Sequence, residues 1–62
     1  MDENQMIKGG KYNINFLQKK DFELVGESML FYFYRKKKIL YVFDKKETNL
    51  KDEYILVAMW ED

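Results

Sequence analysis

From Lys11 onward, apolar and polar side chains alternate in short runs separated by charged breaks. Tyr12, Ile14 and Phe16 alternate with Lys11, Asn13 and Asn15, the period-two pattern of a half-buried strand. Gln18-Lys19-Lys20-Asp21 is a polar break of hairpin length. Beyond it Phe22, Leu24 and Gly26 alternate with Glu23, Val25 and Glu27. The pattern predicts two short antiparallel strands joined as a hairpin.

The centre of the chain reads Ser28-Met29-Leu30-Phe31-Tyr32-Phe33-Tyr34, then Arg35-Lys36-Lys37-Lys38, then Ile39-Leu40-Tyr41-Val42-Phe43. Aromatic and β-branched runs on either side of four consecutive cations predict a second hairpin with a solvated turn. A two-residue turn at Lys36-Lys37 would set Tyr34 opposite Ile39, Tyr32 opposite Tyr41 and Leu30 opposite Phe43. One face of the hairpin then carries Leu30, Tyr32, Tyr34, Ile39 and Tyr41, and the other Met29, Phe31, Phe33, Leu40 and Val42.

Asp44 to Asn49 is a polar loop, and the segment after Leu50 admits two readings. Asn49 as a cap, with Asp52 and Glu53 in the first turn, would start a helix. The run Tyr54-Ile55-Leu56-Val57 is strand-like, and acids at Glu61 and Asp62 would oppose a helix dipole. A fifth strand is the better reading. The fold expected is therefore all-β, a small five-stranded antiparallel meander or SH3-like barrel over residues 11–62. The alternative is an α+β fold, four strands covered by a C-terminal helix. Residues 1–10 lack periodicity and end in Gly9-Gly10, so they are expected to form a flexible amino-terminal arm. The core expected from the less polar faces is Ile14, Phe16, Phe22, Leu24, Phe31, Phe33, Leu40, Val42, Ile55 and Val57.

Length limits the chain to one domain, because 62 residues cannot supply two cores. Composition removes whole classes of chemistry. There is no cysteine and no histidine, so disulfide frameworks, thiolate zinc sites and imidazole bases are excluded, and Ser28 has no histidine with which to form a triad. The carboxylates fall in loops and termini without the spacing of a paired acid and base. The expectation is a protein that is not an enzyme and uses no cofactor or metal. Met1-Asp2-Glu3-Asn4-Gln5 has no apolar core of a leader, and no run approaches about 18 apolar residues, so a cytoplasmic location is expected. Just over half the chain is Phe, Tyr, Met, Ile, Asn or Lys, residues with AT-rich codons. That bias points to a low-GC bacterium, its phages or its mobile elements, and the span from Met1 to a tail-free end reads as a complete short reading frame.

Net charge is zero, but it is unevenly laid out. All 11 bases lie between Lys8 and Lys51, where five acids leave a net +6, and the two ends carry the balancing acids. The lysines are read first as residues that solvate turns and discourage edge pairing. Aromatics make up 18% of the chain, and the central hairpin looks apolar on both faces, so something must cover the second one. Tyrosine suits an interface, having an apolar ring and a polar tip. The candidate partner-binding residues are accordingly Tyr32, Tyr34 and Tyr41 with Arg35, Lys37 and Lys38. The function expected is non-catalytic protein binding by a small regulator or inhibitor, with homodimer formation through hairpin faces or edge strands. The competing reading is a single-stranded nucleic-acid binder, in which bases stack on the tyrosines while the cations neutralise phosphates.

Overall fold

The structure, a computed structural model, describes residues 6–61. In chain order it contains β1 (Lys11–Asn13), α1 (Ile14–Lys19), β2 (Glu23–Glu27), β3 (Phe31–Lys36), β4 (Ile39–Asp44) and β5 (Glu53–Glu61). The strands form one antiparallel sheet in the spatial order β1-β5-β4-β3-β2. The fold is all-β as expected, and the segment after Leu50 is the fifth strand, not a helix. The sheet stays open and does not close as a barrel: β1 and β2 are its two edges.

The expected first hairpin is not formed. β1 stops at Asn13 and pairs with β5, Tyr12 lying opposite Tyr54, while the residues read as its continuation turn into α1. Asn13 causes the switch. Its backbone is extended, and its Oδ1 accepts from the N–H of Asn15 at 2.8 Å and of Phe16 at 3.4 Å, the bonds of a helix N-cap. The helix ends just as definitely. Asp21 takes a positive φ of 68°, the Phe22 N–H reaches the Leu17 carbonyl at 3.0 Å, and the Asp21 N–H reaches that of Gln18 at 3.3 Å. This is the Schellman arrangement, and its usual apolar contact is supplied by Leu17 and Phe22, both in the core.

The central hairpin forms with its turn one residue later than expected, at Lys37-Lys38. Lys36 pairs with Ile39, Tyr34 with Tyr41 and Tyr32 with Phe43. Lys37 accepts the left-handed φ of 57° that the tight turn requires, and its carbonyl receives the Arg35 Nε–H at 3.2 Å. Both registers place the same residues on each face. β3 begins at Phe31 because Ser28 closes a turn before it: the Ser28 N–H donates to the Phe31 carbonyl at 2.8 Å and its Oγ accepts from the Phe31 N–H at 3.2 Å.

The buried face is the reverse of the one expected. Met6, Leu17, Phe22, Tyr34, Tyr41, Phe43, Tyr54 and Leu56 form the core, with Tyr12, Ile14, Tyr32 and Ile39 packed against it. Tyr34 is 2% exposed and Tyr41 5%. Of the core list drawn from the sequence, Phe22 is in this cluster. Val42 is buried outside it, Phe31, Phe33 and Leu40 are half-buried, and Phe16 and Leu24 are exposed. The reason is α1. Helix and following turn lie against the tyrosine face and bring Ile14, Leu17 and Phe22 onto it, so apolar cover goes to that side of the sheet.

Residues 1–5 of the expected arm, and Asp62, lie outside the described residues. Residues 6–10 pack onto the fold. Met6 is in the core, the Gly9 N–H donates to the Leu56 carbonyl at 2.7 Å, and the Leu56 N–H donates to the Gly10 carbonyl at 2.9 Å. Gly9 has a φ of 91°, which its lack of a side chain allows.

Candidate binding face

Directly opposed residues of antiparallel strands project on the same side of a sheet, so the register reads off the face away from the core. One row across it is Glu23, Arg35, Leu40 and Trp60; the next is Gly26, Phe33, Val42 and Ala58. Phe31, opposite Asp44, extends it along β3. No element among the described residues packs over this face, and α1 and Met6 lie on the other side.

The face has its own order. Gly26 leaves the edge strand thin beside Phe33: a Cβ built on Gly26 would lie 3.8 Å from Phe33 Cδ2, an ordinary contact. Val42 at the centre is buried by its neighbours, while Trp60 at the far end is 57% exposed. Glu23, Arg35 and Asp44 give the apolar strip a charged border. An aromatic and aliphatic centre with a charged rim has the composition of a protein-binding patch.

The residues nominated from the sequence are divided between opposite sides. Tyr34 and Tyr41 are core residues, and Arg35, next to Tyr34 on an extended strand, projects the other way. Lys37 and Lys38 are exposed at the hairpin tip. Tyr32 is half-buried, with the Lys45 ammonium 5.2 Å from its ring centre; that ammonium also binds the Glu27 carboxylate at 2.8 Å and the Ser28 carbonyl at 2.9 Å. The set is therefore not a single cluster. Trp60 and Ala58 were not singled out from the sequence. Their membership of this face depends on the shift in register between Val42 and Phe43, where β5 gains a residue and its later side chains change sides.

The tyrosines form a structural unit. Tyr32 and Tyr54 meet edge to face at 5.5 Å, as do Tyr34 and Phe43 at 5.7 Å, and Phe22 tilts against Tyr41 at 5.1 Å. Burial, then the neighbouring Tyr32 and Tyr54 hydroxyls, pushes the Tyr34 pKa up, and burial with Tyr32 does the same to Tyr54. These hydroxyls stay protonated at neutral pH, the state suited to a packed interior. Among the described residues no three or more acidic side chains converge as a metal site would need, and no helix is long and apolar enough to cross a membrane. Comparison with protein-family models, with curated proteins and with solved structures finds no match to this chain.

Proposed function

We propose that this chain is a non-catalytic protein-binding module, a small regulator or inhibitor from a low-GC bacterium, phage or mobile element, which binds its target through the open face of the sheet. One observation carries the reading: the sheet is covered on one side only, while Phe31, Phe33, Leu40, Val42, Ala58 and Trp60 run across the other. A strip of this kind loses free energy when left in water and gains it on contact with a complementary surface. Arg35, Lys37 and Lys38 stand at one end of the strip, where they can orient a partner by charge. The cytoplasmic location and the absence of catalytic chemistry, cofactor and metal belong to the same reading. The nucleic-acid alternative draws less support, because two of the three rings offered for base stacking are in the core.

Affinity capture from a low-GC bacterial lysate tests the proposal, with the parent chain and a Trp60→Glu variant as paired baits. A specific protein held by the parent and lost by the folded variant is the expected result. Equal retention by both baits, or recovery of RNA or DNA in place of a protein, would contradict it.

A further inference from the structure

The end of the sheet at the β3–β4 turn gathers cations from two distant parts of the chain. Arg35 to Lys38 form the turn and its approach, and Glu23 pairs opposite Arg35, so β2 begins at this end too. Phe22, just before β2, ties the end of α1 to it. Its N–H bonds to the Leu17 carbonyl, and the Lys36 ammonium lies 5.1 Å from its ring centre. Lys19 and Lys20 at the end of α1 arrive with it, the Lys20 ammonium 5.6 Å from the Phe16 ring centre. Six of the 11 bases therefore stand at this end, against Asp21, Glu23 and Glu61 among the described acids. Residues 44–53, at the other end of β4 and β5, have three bases and four acids, and Lys45 there is bound to Glu27.

Like charges gathered at one end repel one another, which costs the folded state free energy. Guarding a sheet edge does not explain them, because β3 and β4 are interior strands and the edge strand β2 carries Glu23 and Glu27. An anionic partner would offset the repulsion. We infer that the partner of the open face is an acidic polypeptide, whose carboxylates meet this cationic end while its apolar side chains meet the strip; the inference rests on the proposed use of that face. Continuity carries the choice of partner. Arg35 lies in one row with Leu40 and Trp60, so the cations border the apolar strip directly. A polypeptide can set carboxylates beside apolar groups as that row requires, whereas a phosphate backbone is charged at every unit and would meet Glu23 next to Arg35. The cations are also partly ordered in advance. The Arg35 Nε–H donates to the Lys37 carbonyl at 3.2 Å, and two ammoniums are held over aromatic rings, so less freedom is lost on contact.

Fluorescence anisotropy of the full chain with labelled poly-L-glutamate, a glutamate–tyrosine copolymer and oligothymidylate, at low and physiological salt, provides the test. Lys19→Glu/Lys38→Glu at the cationic end and Lys46→Glu/Lys51→Glu at the other change net charge equally, and all four positions are exposed. Polyglutamate should bind the parent at low salt, at least several-fold more weakly in the first pair than in the second, and oligothymidylate should bind less tightly than polyglutamate. The copolymer should bind more tightly than polyglutamate, and Trp60→Ser should remove that gain alone. No binding of polyglutamate, equal loss in both reversed pairs, or tighter binding of oligothymidylate overturns the inference. A copolymer without a gain, or with one that survives in Trp60→Ser, contradicts the open-face reading beneath it, a failure told apart by the intact response to charge. Lys19→Gln/Lys38→Gln supplies the same comparison if the reversed pair does not fold.

Discussion

The rings of Tyr34 on β3 and Phe43 on β4 meet edge to face, 5.7 Å apart with their planes at 86°. Phe43 also receives the edge of Tyr12 from β1 at 6.3 Å and is 1% exposed, so three strands are joined through it. Phe43→Ala should cost about 3–5 kcal/mol. A 62-residue domain has roughly 3–9 kcal/mol of total stability, so the variant should lose at least about a third of it and unfold at a clearly lower urea concentration than the parent. Leu30→Ser, at an exposed turn position, should change stability by less than about 0.5 kcal/mol. Urea denaturation followed by circular dichroism measures both.

Alkaline pH should weaken the fold through Tyr34 and Tyr54. Both pKa values are raised above the ordinary 10.0, chiefly by burial, so the unfolded chain loses these protons first as pH rises. Below pH 10 both states keep them and the stabilisation is complete; it is lost as pH climbs through the folded-state values. The melting temperature should fall above pH 10, and the fall should be shallower in Tyr34→Phe. Thermal melts across that range, with tyrosinate absorbance alongside, check the sign.

Asn13 gives the third prediction. Replacing it by alanine removes the acceptor for the Asn15 and Phe16 N–H groups and should cost about 1 kcal/mol, whereas Asn13→Asp should retain most of the stability. Melting temperatures of the two variants decide it.

How much of this was legible in the sequence follows from the same residues. The central hairpin was readable because long aromatic and β-branched runs leave little alternative, and β5 was the better of two readings because Tyr54 to Val57 is strand-like and Glu61 and Asp62 oppose a helix dipole. α1 was not, because six residues are too few to show helical periodicity and Ile14 and Phe16 happen to alternate with asparagines. Its legible traces were the capping Asn13 and the spacing of Ile14 to Leu17. Which side of the hairpin is buried had no local signal, since both sides are apolar; the decision lies with α1, whose position depends on β1 pairing with β5 across the whole chain. The site reading inherited that inversion, which is why it selected tyrosines that are in the core.

Gly10 offers a fourth prediction. A Cβ there would lie 2.6 Å from the Tyr12 hydroxyl, which accepts the Ile7 N–H at 2.9 Å. Gly10→Ala should displace Tyr12, break that bond and loosen residues 6–10. Faster amide exchange at Ile7 and Leu56 than in the parent is the expected observation.

The tyrosine face of the sheet is its interior, and the face carrying Phe31 and Phe33 is open. Hydroxyl-radical footprinting, with each side chain's rate normalised to that of the unfolded chain, tests it directly. Protection should be strong at Tyr34, Tyr41 and Phe43 and weak at Trp60, with Phe31 and Phe33 between. Strong protection of Phe31, Phe33 and Trp60 together with rapid labelling of Tyr34 and Tyr41 would contradict the account.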